Sequence, residues 1–247
     1  MIVVLSGEGP TDLGQCTTPS SPCTGADFRP GPLTVLLNWL LEPLLGYAPA
    51  DVDETFHFVP KAELLRRAEA MKQGRRMGLP GAKRGQETNF FYKNAWMLGE
   101  AALALEDERQ DRGIAVLHRD ADTRNRTPAT EWAQKVQSME DGFTRAGYDR
   151  GVPMLPRPIS EAWLLCLARQ TGPACALLED EAGNPDSANP LKRQLADALG
   201  LEEEASATAL VAWLAQTSPD WTRLGGMPSF AHFHQRLQNA TQAALRT

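Results

Sequence analysis

The chain has 247 residues, 42% hydrophobic and 23% charged, with a formal net charge of -6. Such a length can bury a full core, and the balance excludes wholesale disorder. No apolar run approaches the roughly 18 residues of a membrane-spanning helix, and the richest stretch, Leu33 to Leu45, is broken by Asn38, Glu42 and Pro43.

Ile2 to Leu5 is a short β-branched run closed by Ser6, Gly7, Glu8, Gly9 and Pro10, which predicts a buried strand ending in a tight turn at Glu8. Leu13 to Pro32, rich in Thr, Pro, Ser and Gly, reads as a loop, and Leu33 to Leu45 as a buried helix. Thr55 to Val59 is a second strand, and Pro60 to Met71 a helix with proline at its start. Lys72 to Thr88, with four glycines and Pro80, reads as a loop, followed by a helix over Asn89 to Arg109.

Gly113 to His118 is an apolar strand of the fully buried kind, and it runs directly into Arg119, Asp120, Ala121 and Asp122. Pro128 to Ala146 reads as a helix, Val152 to Leu155 as a strand, and Ser160 followed by Glu161 as a capped helix start. Strand and helix alternate to this point, which implies an α/β fold with a parallel, doubly wound sheet over residues 1–170. Past Thr171 the pattern turns helical, at Pro190 to Leu199, Ser206 to Ala215 and Ser229 to Leu245, so a helical appendage is expected over 171–247.

Met1 to Leu5 has neither the basic start nor the length of a secretion signal, so a cytoplasmic protein without a membrane partner is expected. Cys16, Cys23, Cys166 and Cys175 lack the close paired spacings of a zinc knuckle. Cys166, in an apolar run, reads as a small core residue, while Cys16 and Cys23 flank a loop and remain open as ligands or a disulfide. The histidines His57, His118, His232 and His234 are too scattered for a metal triad, and His118 reads as structural.

An acidic protein is a poor general partner for phosphate, yet the charge is unevenly distributed. Between Lys61 and Lys93 nine basic residues face only Glu63, Glu69 and Glu87. Within that stretch Lys72, Arg75, Arg76, Lys83 and Arg84 lie on the Gly-rich loop, with Phe90, Phe91, Tyr92 and Lys93 behind them for stacking and backbone contact. Strands of an open parallel sheet deliver functional side chains at their carboxyl ends. Glu8 and the Asp120/Asp122 pair both occupy that position, and Mg²⁺ or Mn²⁺ needs only one or two protein carboxylates when phosphate and water complete its shell. Arg119 and Arg124 beside the aspartates suit a phosphate in reaction or a neighbouring carboxylate.

Val3-Val4-Leu5-Ser6-Gly7-Glu8-Gly9-Pro10-Thr11-Asp12 resembles the Glu-Gly-x-Thr-Asp/Glu opening of Toprim domains, and Val116-Leu117-His118-Arg119-Asp120-Ala121-Asp122 their Asp-x-Asp motif. Pro158-Ile159-Ser160-Glu161-Ala162-Trp163-Leu164-Leu165 resembles the Glu-x-Trp-Leu segment of small Toprim-like proteins allied to the RloB and overcoming-lysogenization-defect nuclease groups. The likeness implies a parallel sheet between helices and a divalent-metal nuclease. It casts Glu8 as general acid/base or metal-adjacent carboxylate, Asp120 and Asp122 as ligands, and Asp12 and Glu161 as supporting ligands. It also implies a role in antiphage defence beside an ABC-type ATPase, since no nucleotide-binding Gly-x-x-x-x-Gly-Lys-Ser/Thr loop is present. Tyr47, Tyr92 and Tyr148 are not placed for a topoisomerase.

Two rivals remain at this level. A nucleotide-sugar glycosyltransferase would use Asp-Ala-Asp for Mn²⁺, but has no need of Glu8 or of the basic loop; a non-catalytic nucleic-acid-binding subunit would leave the acids idle. A haloacid-dehalogenase-type phosphatase is rejected because Arg124 stands where Thr or Val is required, and an EF-hand because Asn125 stands at the glycine position.

Overall fold

The computed structural model describes residues 1–9, 11–19, 21–74, 86–121, 126–169 and 174–246, with side chains at 72–74 and 86–87 outside the description. The protein is α/β: a five-stranded, mostly parallel sheet flanked by helices, with further helices following it in the chain. Strands β1 (Ile2–Ser6), β5 (Phe56–Phe58), β6 (Gly113–His118) and β7 (Gly151–Met154) run parallel in the order β5-β1-β6-β7. Every residue of these four is buried, which is why they read as continuous apolar runs and not as alternating ones.

Alternate side chains still go to opposite faces. Val3, Leu5, Ile114, Val116, Val152 and Met154 face one core, and Ile2, Val4, Ala115 and Leu117 the other. The second core is closed by α2 (Lys61–Gly74), α3 (Gln86–Arg109) and α4 (Ala129–Ala146). Here α4 crosses α3 so closely that a Cβ at Gly142 would lie 2.3 Å from the Tyr92 carbonyl oxygen.

The first core is covered by α1 (Pro32–Leu45), whose buried Leu33, Leu36, Leu37, Leu40 and Leu41 form one helical stripe. It is shared with α5 (Glu161–Ala168), α6 (Leu191–Ala198), α7 (Ala207–Leu214), α8 (Trp221–Gly225) and α9 (Pro228–Leu245). Trp163 of α5 stacks on Phe233 at 5.5 Å and meets Phe230 edge-on at 5.3 Å, so the helices beyond 171 pack into the same apolar body as the sheet. Buried Glu179 joins them: its Oε1 accepts from the Ser229 backbone N–H at 2.7 Å and hydroxyl at 2.6 Å, and Arg157 Nε lies 3.4 Å from its Oε2. No helix among the described residues is long and apolar enough to cross a membrane.

The expected loop over Leu13 to Pro32 is partly strand. β2 (Gly14–Cys16) and β4 (Phe28–Pro30) form an antiparallel ribbon, and β3 (Cys23–Thr24) adds an antiparallel edge to β5. A disulfide joins Cys16 to Cys23, closing the alternative left open by their spacing. Cys166 is buried as expected of a core residue, but it too is bonded, to Cys175, which corrects the reading of it as a simple apolar filler.

Candidate active site at the carboxyl edge of the sheet

The register of β1 against β6 builds the site. Ser6 pairs with Leu117, and extending that parallel register by two residues sets Glu8 beside Arg119. Arg119 Nη1 donates to Glu8 Oε1 at 2.5 Å, and Lys61, in the first turn of α2, reaches the same oxygen at 3.6 Å. The Arg119 guanidinium lies 4.0 Å from the Phe90 ring centroid and the Lys61 ammonium 5.0 Å, so one ring backs both cations. Arg119 is almost wholly buried and its Nε has no partner among the described residues, whereas the Glu8 side chain is 44% exposed.

The carboxylates gather one strand further along. Pairing of His118 with Met154 continues past the strand ends: Arg119 N–H donates to Met154 O, and Ala121 N–H to Pro156 O at 3.2 Å and Pro158 O at 2.9 Å. The segment after β7 is thereby folded over the segment after β6, and it delivers Ser160 to Asp120. The Ser160 backbone N–H donates to Asp120 Oδ1 at 2.9 Å, while its hydroxyl donates to Asp12 Oδ1 at 2.7 Å and lies 3.4 Å from Glu161 Oε2.

Asp12 arrives from the turn after β1, where the Leu33 N–H donates to its carbonyl. That approach depends on Gly31, since a Cβ there would lie 2.3 Å from the Asp12 carbonyl oxygen. Lys192 of α6 stands 3.7 Å from Glu161. A cavity of about 140 Å³ opens beside these groups, lined among others by Asp12, Ser160, Glu161, Lys192 and Ser206.

Burial and neighbouring charge shift the titration of two of these acids. Burial raises Asp120 above the usual carboxylate range, and Asp12 adds to the rise, against the lowering effect of His118 and the Ser160 N–H. Burial likewise pushes Glu161 up to about 7, with Asp120 and Asp12 adding to the rise and Lys192 opposing it. His118 is fully buried, and among the described residues neither ring nitrogen has a hydrogen-bond partner; Nε2 sits 3.6 Å from Asp120 Oδ1, too far for one. Burial works to lower its pKa, but Asp12, Asp120 and Glu8 together outweigh burial and hold it above the ordinary value.

The structure thus brings Asp12, Asp120 and Glu161 together around Ser160 and sets Glu8 apart on Arg119 and Lys61. Asp122, Arg124, Arg75, Arg76, Lys83 and Arg84 lie outside the described residues, as does the side chain of Lys72. Lys93 lies on α3 against Ala68 and Met71 of α2. Two further basic residues of that stretch, Arg66 and Arg67, are held by buried Glu63 at 2.6 and 2.7 Å. Ser160 and Lys61 emerge as site residues that sequence reasoning passed over. Ser160 looked like a helix cap, but no side-chain cap bond is formed, and its hydroxyl goes to a residue 148 positions away.

The donor set is all oxygen, the chemistry that Mg²⁺ and Mn²⁺ prefer. Among the described residues no three His, Cys, Asp or Glu side chains close on one point as a ready-made metal cage. One or two carboxylates, with water and phosphate, suffice for Mg²⁺. Comparison with protein-family models, with curated proteins and with solved structures finds no match for this chain.

Proposed function

We propose that this chain is a Mg²⁺- or Mn²⁺-dependent phosphodiesterase that cuts nucleic acid at the carboxyl edge of its sheet. The observation that carries the reading is the crowding of Asp12, Asp120 and Glu161 around one serine, with Asp120 and Glu161 both pushed toward holding a proton. Carboxyl groups kept together against their own repulsion suit a divalent cation, which replaces the proton and relieves the repulsion.

In this reading Asp120, Asp12 and Glu161 hold the ion, with Asp122 following Asp120 in sequence as a further ligand. A divalent ion held there would provide Lewis acidity for phosphodiester hydrolysis, lowering the pKa of water and balancing charge on the reacting oxygens. Ser160 orients two of the acids at once, through its hydroxyl to Asp12 and its N–H to Asp120. Arg119 and Lys61 supply positive charge for the substrate backbone, and Phe90 beside them offers a face for a base. Glu8, the most exposed of these carboxylates, is the proton-transfer group that the Toprim resemblance implies. That resemblance also suggests an ABC-type ATPase partner and an antiphage role, which co-purification from cells under phage challenge would test.

The direct experiment incubates the purified chain with plasmid, single-stranded DNA and RNA in EDTA, Mg²⁺ or Mn²⁺, alongside Asp120→Ala. Cleavage is expected only with metal and only in the unmutated protein. Cleavage that persists in Asp120→Ala overturns the assignment. Binding of a nucleotide sugar without any nuclease activity points to a glycosyltransferase instead.

A further inference from the structure

Glu8 sits in a setting that a metal ligand or a free catalytic carboxylate does not need. Two cations converge on one of its oxygens, and one of them, Arg119, is buried with an Nε that has no partner among the described residues. A guanidinium taken out of water requires a fixed counter-anion, so the Arg119 position only makes sense with an anion in front of it. The anion found there is the exposed end of a flexible side chain, on the turn Gly7-Glu8-Gly9. A cavity of about 230 Å³ adjoins it, lined by Gly7, Glu8, Gly9, Gly14, Lys61 and Ala62 among others. One carboxylate carries a single negative charge against the two positive charges, and both cations lie within 5.0 Å of the centroid of the Phe90 ring.

We infer that Arg119 and Lys61 form a phosphate clamp, and that the Glu8 carboxylate is an exchangeable stand-in for the phosphate group of a nucleic-acid substrate. A backbone phosphodiester offers two non-bridging acceptor oxygens, and a terminal phosphate three, and either matches the guanidinium fork better than one carboxylate oxygen does. When phosphate enters, Glu8 is displaced from the two cations and becomes free to act on protons at the neighbouring acid cluster. Phosphate binding and the release of Glu8 are therefore one event. This inference rests on the nucleic-acid reading above, but the clamp itself requires neither metal nor cleavage.

The test measures binding of inorganic phosphate to the full chain in EDTA at low ionic strength, by calorimetry and by thermal shift. Glu8→Ala removes the competing carboxylate and is expected to bind phosphate about tenfold more tightly than the unmutated protein. Lys61→Ala introduced into Glu8→Ala is expected to abolish that gain; Lys61 is 36% exposed in its side chain, so its loss is tolerated by the fold. Decathymidylate with and without a 5′-phosphate distinguishes the source of the group. A gain confined to the phosphorylated strand assigns the clamp to strand ends, and a gain with both assigns it to internal phosphates. Equal or weaker phosphate binding by Glu8→Ala, or a gain that survives loss of Lys61, overturns the clamp. A protein that shows the gain yet never cleaves nucleic acid keeps the clamp and loses the nuclease.

Discussion

Replacing Glu161 by Gln should make the protein more stable at alkaline pH, an outcome opposite to that of removing an ordinary ion pair. Glu161 titrates at about 7 in the folded chain against an ordinary value of 4.5, because burial and the charges of Asp120 and Asp12 disfavour its ionised form. Its folded pKa is raised, so the folded state binds the proton more tightly than the unfolded chain. The stabilisation is fully present below pH 4.5 and is lost as pH rises through about 7. At about 1.4 kcal/mol per unit, the difference between acid and alkaline limits is on the order of 3 kcal/mol. Gln is neutral at every pH and forfeits only the half-exposed Lys192 contact, worth at most about 1 kcal/mol. Glu161→Gln should therefore exceed the unmutated protein by about 2 kcal/mol near pH 8 and differ little near pH 5. His118 and Asp120, both raised, act in the same sense in both proteins, and because Asp120 and Glu161 influence each other the difference between the two curves reports the acid pair, not Glu161 alone. Urea unfolding in EDTA across this range measures it. Excess Mn²⁺ at pH 8 should stabilise the unmutated protein by roughly 2–3 kcal/mol at about a hundredfold over its Kd, and Glu161→Gln by less. Parallel curves for the two proteins, or a Glu161→Gln protein less stable at pH 8, would refute the account of the acid cluster.

Gly31→Ala should move Asp12 away from Ser160, since the added Cβ meets backbone and not a yielding side chain; about 1–3 kcal/mol of stability and most metal-dependent activity should go with it, read by unfolding and by cleavage. Ser229→Ala deprives buried Glu179 of one of its two hydrogen bonds and Trp163 Nε1 of its acceptor at 2.9 Å; a loss of about 1–3 kcal/mol without change in metal affinity is expected, measured by urea unfolding and Mn²⁺ titration. The four cysteines should resist thiol reagents in denaturant until a reductant is added, because all are paired; titration of four thiols without reductant would refute the pairing. Such bonds persist mainly in oxidising compartments, which is at odds with the cytoplasmic address read from the start of the chain, and the same titration on protein taken from its native cells addresses both.

What the sequence carried plainly was whatever depends on neighbours in the chain. β1 and β6 were legible because a fully buried parallel strand needs nothing but an unbroken apolar run, and α1 because its leucines recur at helical spacing. β2, β3 and β4 were hidden: two or three residues give no periodicity, and the Thr, Pro and Ser content of the segment around them signals a loop. β3 is held by pairing to β5, β2 and β4 by pairing to each other, and the Cys16–Cys23 bond ties β2 to β3, all tertiary facts. At the site, the strand-end positions of Glu8 and Asp120 followed from local pattern, but their partners did not. Nothing near Asp12 in sequence announces Ser160, and nothing near Glu8 announces Arg119. The second pairing had one usable signal, since adjacent parallel strands of similar length must bring their following residues side by side.

Strand order also explains why Arg119 and Asp120, consecutive in sequence, meet different partners at this edge. β1 lies between β5 and β6, so the residue that follows it by two meets the first turn of α2 on one side and the segment after β6 on the other. β7 lies beyond β6, so the loop that carries Ser160 and Glu161 can reach only the far flank, where Asp120 turns toward it. Arg119 and Asp120, consecutive in sequence, are thereby sent to opposite neighbours: the arginine back toward β1 and Glu8, the aspartate forward toward β7 and Ser160. Because the two side chains diverge, Arg119 joins Lys61 on Glu8 at one flank, while Asp120 joins Asp12 and Glu161 around Ser160 at the other.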